Sequence, residues 1–255
     1  MTVGFLGFGN LAKALYSGLF LSGKLDCKDV VVTAKSEQTL SYAKSIGVTA
    51  VSSVKELFEL SDIVILAVKP KVFETLINDL PSSFNGKKIV SVMAMCKLEK
   101  LQKVFGKAPI LRIMPSLSSS TGTDVIGVSG NDKEFTDFIE ILKGAGKLMY
   151  MGEDKLEAFT VGASCGLGFA GYILSAYKNA IKTLGFSEEE AKEITKITFA
   201  NSSSYDDYES LYTLVATKGG ATEQGLISMQ SGGVDKVLEK AVQKAYDKAT
   251  GKIDK

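Results

Sequence analysis

The sequence has 255 residues, an ordinary apolar share and a formal net charge of +1. That length suits one large domain or two modest ones, and the balanced charge provides no broad attraction to nucleic acid or to acidic membrane surfaces. The sequence contains no histidine, which excludes imidazole bases, Ser-His-Asp triads and His-ligated metals. The three cysteines are widely spaced, which argues against a disulfide framework or a metal site and favours a reducing compartment.

The N-terminus and the apolar runs bear on localisation. The first residues lack the basic segment of a signal peptide, and we expect no apolar run to approach the about 20 residues of a membrane span. We therefore expect a cytoplasmic protein with a small-molecule substrate and with no metal, nucleic-acid or membrane partner.

The first half of the chain alternates between short β-rich runs and amphipathic helical segments. The strands are expected at residues 3–6, 30–33, 48–51, 63–68, 88–92 and 110–114. Their continuous Val, Ile and Leu runs indicate strands covered on both faces, and the strand-helix repetition predicts βαβ units in a mostly parallel sheet. A late pair of strands, residues 125–128 and 147–151, brackets a helix over residues 133–143.

The second half of the chain, after about Gly152, carries helical signals instead of strand signals. In residues 169–184 the apolar positions cover most of the helix circumference, which indicates burial on both sides. This pattern favours a subunit interface over the alternative, a central helix of a monomeric bundle. We predict an α/β domain over residues 1–152 and an all-helical substrate-binding and dimerisation domain over residues 153–255.

A glycine-rich motif follows the first expected strand and opens the first helix. Residues 7–12 read G-F-G-N-L-A, in which Gly7 permits a tight turn, Gly9 allows close approach of a pyrophosphate, and small Ala12 packs helix on strand. The helix N-terminus favours the negative charge of that group. The motif predicts a Rossmann-type nucleotide site rather than a plain strand-turn-helix. Its cofactor contacts are expected from Gly7, Phe8, Gly9, Asn10 and Leu11.

The ends of the second and fourth strands indicate which nucleotide binds. NAD enzymes usually have Asp or Glu after the second strand, whereas Lys35 and Ser36 stand there and suit a ribose 2′-phosphate. We therefore expect NADPH, with NADH as the alternative donor if Lys35 is only a solvated loop lysine. The residues that end the fourth strand and are expected at the nicotinamide ribose are Ala67, Val68, Lys69 and Pro70. Lys69 is either a site residue or a plain charge at a strand end.

Four segments of the chain match one known family in their order and spacing. Residues 5–14 read F-L-G-F-G-N-L-A-K-A, residues 67–70 read A-V-K-P, and residues 111–115 read L-R-I-M-P. The most specific segment is residues 215–226, V-A-T-K-G-G-A-T-E-Q-G-L. Together they resemble the pyrroline-5-carboxylate reductases, and the last segment is similar to that family's S-P-G-G-(T/A)-T signature. The resemblance covers nearly the whole chain.

The chain departs from the family pattern at four places. Thr217 and Lys218 replace the signature's Ser-Pro, and Ser116 replaces an Asn. Residues 163–169 replace the family's S-G-S-G-P-A-Y run, and residues 91–95 read S-V-M-A-M where the family has S-I-A-A-G. These departures leave open a divergent reductase or a relative with another substrate.

The resemblance implies the last step of proline biosynthesis, the reduction of L-1-pyrroline-5-carboxylate to L-proline by hydride transfer from NAD(P)H. A protonated cyclic imine is already electrophilic, which agrees with the missing histidine. The resemblance adds Ala94 to the cofactor contacts, makes Thr222 the catalytic residue, and implies a homodimer or higher homo-oligomer. The residues it assigns to the substrate are Thr217, Gly219, Gly220, Ala221 and Thr222.

Other interpretations remain open at this point. The glycine pair at 219–220 is either an anion cradle or an ordinary interhelical turn with Thr222 as N-cap. The chain is alternatively a dehydrogenase of small hydroxy acids, with Lys178 or Lys182 moving the proton, or an NADP-binding protein without catalysis. Arg112, the single arginine, is expected to tie its strand to the loop of residues 116–121 rather than to bind substrate.

Overall fold

The computed structural model describes residues 1–253. Contacts divide the chain into two compact units. The first unit comprises Met1–Ser164 together with the end of the chain from Tyr246, and the second comprises Cys165–Ala245. The boundary predicted after residue 152, where strand signals give way to helical ones, remains a prediction.

The first unit is built on one sheet of eight strands. The strands are β1 (Val3–Leu6), β2 (Val30–Thr33), β3 (Thr49–Ala50), β4 (Ile63–Leu66), β5 (Lys88–Ser91), β6 (Ile110–Met114), β7 (Asp124–Gly130) and β8 (Gly146–Tyr150). Their order is β3-β2-β1-β4-β5-β6-β7-β8, and every neighbouring pair is parallel except β6 and β7. The predicted mostly parallel α/β sheet is confirmed.

Helices connect the strands of this sheet, and the last of them follows β8. They are α1 (Asn10–Leu21), α2 (Glu37–Ser45), α3 (Val54–Leu60), α4 (Pro70–Leu76), α5 (Leu98–Phe105), α6 (Thr136–Leu142) and α7 (Glu153–Thr160). Serine N-caps explain where two helices begin. The hydroxyls of Ser36 and Ser53 accept hydrogen bonds from backbone amides in the first turns of α2 and α3. Pro70 begins α4, a position where its missing N–H costs nothing.

Apolar layers cover both faces of the sheet. On β1, Val3 and Phe5 belong to one buried cluster and Leu6 to the other, and the strands beside β1 alternate in the same way. Continuous apolar runs in the sequence therefore correspond to strands buried on both sides.

The second unit is helical. Its elements are α8 (Gly166–Lys182), α9 (Glu188–Ser203), α10 (Tyr208–Val215), α11 (Ala221–Ser231) and most of α12 (Val234–Ala249). Large apolar side chains on these helices and in the turn between α8 and α9 stay open to solvent, with Tyr172, Leu184 and Leu214 each more than 70% exposed. Within one chain Ile181 is the α8 residue that is buried, which contradicts the alternative of a central helix in a monomeric bundle; burial at a subunit interface remains a prediction. Apolar surface of this extent marks an interaction face.

The helical stretch Glu153–Lys182 is 30 residues long, with a mean hydropathy of 1.4 in its most apolar window. By length and composition alone it is sufficient to cross a membrane, so the expectation that no apolar run approaches a membrane span is wrong. The absence of a membrane partner remains a prediction.

Candidate active site

The carboxyl ends of four strands lie side by side at one edge of the sheet. Leu6 at the end of β1 pairs with Thr33 of β2 and with Leu66 of β4, and Leu66 pairs with Ser91 of β5. Chain order reverses between β1 and β4, because β2 and β3 lie on one side and β5 on the other. Such a switch point at the carboxyl edge is where open α/β sheets bind their ligands.

Gly7 joins two of the predicted motifs at this edge. Its amide donates to the Thr33 carbonyl at 2.9 Å, and its φ of +92° is a conformation that strongly favours glycine. A Cβ on Gly7 would lie 2.7 Å from Cγ1 of Val68 and 2.9 Å from the carbonyl oxygen of Ala67. The glycine-rich turn and the end of β4 are thus packed against each other.

The N-terminus of α1 is open. Gly9 is the N-cap, no side chain caps the helix, and no acidic residue lies in its first turn. A Cβ on Gly9 would meet no atom within 4 Å. Because the first amides of a helix lack intrahelical acceptors, this end offers free donors beside empty space. The arrangement fits a dinucleotide pyrophosphate.

The other predicted cofactor residues at this turn differ in exposure. Asn10 is exposed and Leu11 is half-buried, whereas Phe8 is 1% exposed and packs its ring against Phe5 and Tyr16. Only the backbone of Phe8 is available to a nucleotide.

Lys35 and Ser36 are both exposed just beyond β2. The Ser36 hydroxyl accepts the amide proton of Thr39 at 3.4 Å, which leaves its own proton free to donate. Beyond β4, Ala67, Val68 and Pro70 are half-buried and Lys69 is exposed. All of these positions follow the carboxyl ends of strands adjacent to β1, so one edge of the sheet carries both groups.

The segment between β5 and α5 contains Ala94, the remaining predicted cofactor residue, which is half-buried. Its neighbour Met95 has a φ of +61° and is the one non-glycine residue with positive φ in the described part of the chain. Met95 stands where the family's S-I-A-A-G stretch has its glycine, so the structure shows a physical reason for that glycine. Burial raises the pKa of the Cys96 thiol, which keeps this side chain neutral.

Arg112 has different partners from those predicted. Its guanidinium is fully buried and donates to Glu153 Oε1 at 2.7 Å, to Glu157 Oε1 at 2.9 Å and to the Met93 carbonyl at 3.3 Å. It does not tie β6 to the loop of residues 116–121, and that expectation is wrong. The two glutamates lie on α7, more than 40 residues along the chain, and neither was predicted from the sequence.

Asp124 holds the loop that Arg112 was expected to hold. Its buried carboxylate accepts the Ser116 amide at 2.6 Å, the Ser116 hydroxyl at 2.7 Å and the Ser119 hydroxyl at 2.6 Å. This role of Asp124 was not predicted from the sequence. The available signal was a carboxylate closely following a Ser-rich loop, whose hydroxyl and amide donors need an acceptor.

The predicted substrate segment lies in the helical unit and forms the start of α11. Gly219 has a φ of +75°, Gly220 is the N-cap, and exposed Thr222 is the second residue of the helix. Thr222 is therefore not the N-cap, and that interpretation is wrong. The two glycine amides already have acceptors, because Gly219 donates to Oε2 of Glu223 at 2.7 Å and Gly220 donates to the Thr217 carbonyl at 2.9 Å.

The lysines proposed for hydroxy-acid chemistry are engaged in ion pairs. Lys178 and Lys182 both donate to the carboxylate of Glu188, and these hydrogen bonds lower the pKa of Glu188 to about 2. Within residues 1–253, no group of three or more His, Cys, Asp or Glu side chains is placed to hold a metal ion.

Comparison with known proteins identifies the family of the chain. Residues 2–95 match a family described as NADP oxidoreductase, coenzyme F420-dependent, and residues 153–252 match the pyrroline-5-carboxylate reductase dimerisation family. The chain is 30% identical to a pyrroline-5-carboxylate reductase of Aquifex aeolicus, over 98% of this chain and 96% of the relative. The chain belongs to the pyrroline-5-carboxylate reductase family.

Solved pyrroline-5-carboxylate reductases have the same fold. The enzyme of Plasmodium falciparum, crystallised with NADP bound, superposes with a TM-score of 0.89 at 21% identity, over 98% of this chain and 97% of that one. The enzyme of Coxiella burnetii superposes with a TM-score of 0.80 at 25% identity, over 100% and 99% of the two chains. The match to a dimerisation family supports homo-oligomerisation, and it accounts for the exposed apolar side chains of the helical unit.

Proposed function

We propose that this protein reduces L-1-pyrroline-5-carboxylate to L-proline with NADPH, the last step of proline biosynthesis. The observation that carries the proposal is the near full-length similarity to a pyrroline-5-carboxylate reductase, in a chain whose sheet edge fits a dinucleotide. NADPH is the expected donor and NADH the alternative. When bound, the reduced nicotinamide supplies the hydride that the imine carbon accepts.

The nucleotide is held by residues at the carboxyl edge of the first unit. The amides at the start of α1 bind the pyrophosphate, and Gly9 leaves space for it. Lys35 and the Ser36 hydroxyl bind the ribose 2′-phosphate, since an ammonium and a hydroxyl donor suit that dianion. The residues proposed beside the nicotinamide ribose are Ala67, Val68, Lys69, Pro70 and Ala94.

The substrate carboxylate is bound at the start of α11. Because the glycine amides of residues 219 and 220 already have acceptors, the donors proposed here are the first-turn amides of Ala221 and Thr222. The Thr222 hydroxyl donates a hydrogen bond to the carboxylate or accepts one from the N–H of the protonated imine. The main task of these groups is to hold the imine in a reactive geometry, since a protonated imine needs no strong acid from the protein.

The test is a spectrophotometric assay of NADPH oxidation with pyrroline-5-carboxylate. Wild type is expected to turn over, Thr222→Ala to lose about 100-fold in kcat/KM, and Thr222→Ser to retain most activity. Thr213→Ala is the matched control, because the Thr213 hydroxyl bonds only the Glu209 carbonyl one turn back in α10. Inactive wild type would overturn the proposed reaction, and a fully active Thr222→Ala would overturn only the role of Thr222.

Two alternative functions predict different results. An NADP-binding protein without catalysis would bind NADPH tightly and turn over neither imine nor hydroxy acid. A hydroxy-acid dehydrogenase would need a free proton donor, whereas Lys178 and Lys182 are both paired with Glu188. Assays with small hydroxy acids are therefore expected to show no activity.

The assembly proposed is a homodimer or a higher homo-oligomer whose helical domains complete each other's sites. Size-exclusion chromatography with light scattering measures its size. A cytoplasmic location remains a prediction, as does the absence of nucleic-acid, membrane and metal partners.

A further inference from the structure

Residues 93–98, which run from just after β5 to the first residue of α5, include a strained backbone conformation at the carboxyl edge of the sheet. Met95 has a φ of +61°, and its side chain is 51% exposed. Such strain persists only where surrounding contacts determine the backbone, and it is concentrated at functional sites. β5 lies next to β4, whose end packs on the glycine-rich turn.

Both ends of this segment are anchored to one buried charge cluster. At its start, the Met93 carbonyl accepts a hydrogen bond from Arg112. At its end, the Leu98 amide, the first of α5, donates to Glu153 Oε1 at 2.6 Å. That oxygen also accepts from Arg112, so one carboxylate caps α5 and pairs with the guanidinium.

The cluster has the rigidity that such an anchor requires. Arg112 is fully buried, and the side chains of Glu153 and Glu157 are 25% and 11% exposed. A planar guanidinium with several charge-assisted hydrogen bonds restrains its partners in direction as well as distance. The bonds join β6, α7 and the strained segment, which are far apart in the sequence.

We propose that Arg112 and Glu153 are positioning residues for the nicotinamide half of the site, acting through the backbone of residues 93–98. They touch neither substrate nor cofactor in this role. Their hydrogen bonds at Met93 and Leu98 hold the strained turn at Met95 and thereby place Ala94 at the sheet edge. The inference rests on the proposed function for the identity of the ligand.

The two glutamates provide a matched pair of variants. Each is a partner of Arg112, but only Glu153 also accepts the Leu98 amide. Glu153→Ala and Glu157→Ala should therefore both lower the melting temperature, since each leaves Arg112 short of a partner. If the cluster had only a structural role, NADPH affinity and kcat in the two variants would fall in proportion to the loss in melting temperature.

The positioning role predicts a difference between the variants that stability does not explain. Glu153→Ala is expected to weaken NADPH binding, measured by fluorescence titration, about 10-fold more than Glu157→Ala, and to lower kcat by a further 10- to 100-fold, about the cost of a misplaced reactant. Amide hydrogen exchange of residues 93–98 should accelerate in Glu153→Ala only. If Glu153→Ala does not fold, Glu153→Met and Glu157→Met, which keep most of the side-chain volume and have no oxygen to accept the Leu98 amide, are compared in the same way.

Equal effects of the two variants on NADPH affinity and on exchange at residues 93–98 would overturn the proposal. Its failure is distinguishable from that of the proposed function, because the titration and the exchange measurement need no turnover. Wild type that binds NADPH but does not reduce the imine would overturn only the proposed reaction.

Discussion

Two glycines of the G-x-G-x-x-A motif are expected to respond oppositely to the same substitution. At Gly9, φ is −77° and a Cβ would meet no protein atom within 4 Å, so alanine is accommodated without strain. At Gly7, φ is +92° and a Cβ would lie 2.7 Å from Val68 and 2.9 Å from the Ala67 carbonyl oxygen. The space beside Gly9 is available to a ligand, whereas the space beside Gly7 is filled by protein atoms.

The magnitudes follow from these contacts. Gly9→Ala should stabilise the free protein by about 0.4–1 kcal/mol, because it restricts the unfolded chain at a conformation that alanine accepts. Gly7→Ala should destabilise it by about 2–5 kcal/mol, combining about 1–2 kcal/mol of left-handed strain with about 1–3 kcal/mol of overpacking. At about 2–4 °C per kcal/mol, the melting temperatures of the two variants separate clearly.

The same methyl group at Gly9 should obstruct the nucleotide. A clash of about 1–3 kcal/mol weakens NADPH binding roughly 10- to 100-fold. With NADPH at 100 times the wild-type Kd, wild type gains about 2.7 kcal/mol of stability, whereas a variant weakened 100-fold gains only about 0.4 kcal/mol.

Thermal unfolding with and without NADPH measures both effects in one experiment. The expected result for Gly9→Ala is an unchanged or higher melting temperature without NADPH and a much smaller increase with it. A Gly9→Ala protein that NADPH stabilises as strongly as wild type would refute the placement of the pyrophosphate at the start of α1.

Two further predictions concern charges. Lys35→Ala should raise the KM for NADPH about 10-fold and leave the KM for NADH nearly unchanged, because only NADPH carries the 2′-phosphate; equal effects on both would contradict the role of Lys35. The pKa of Glu188 is lowered to about 2 by Lys178 and Lys182, so its contribution to stability is present above its unfolded pKa near 4.5 and is lost as pH falls towards 2. In Glu188→Gln the melting temperature should vary less with pH over that range. A pH dependence equal to that of wild type would contradict the contribution of Glu188.

Local patterns in the sequence were sufficient to predict much of the first unit. The apolar runs predicted strands buried on both faces, and the G-x-G-x-x-A motif predicted the uncapped start of α1 at the carboxyl edge. Such features depend on neighbouring residues and on rules of chain connection, which is why they can be identified without a structure. The role of each site residue remains a prediction that binding and kinetic measurements must test.

Contacts between distant parts of the chain could not be predicted in this way. The single arginine was expected to hold a nearby loop, but its partners are Glu153 and Glu157, and Asp124 holds the loop instead. A buried charge is stabilised by whichever partners the fold brings within reach, and sequence distance does not limit that choice.

The sequence by itself determined the α/β sheet, the glycine-rich turn between β1 and α1 and the change to helices after residue 152, because hydrophobic periodicity and glycine geometry act locally. Only the tertiary structure decided that Met95 is strained, that Arg112 and Glu153 anchor its segment, and that the amides of Gly219 and Gly220 are already bonded. Those features arise where separate segments meet, and each depends on distances of a few ångströms that no local pattern encodes.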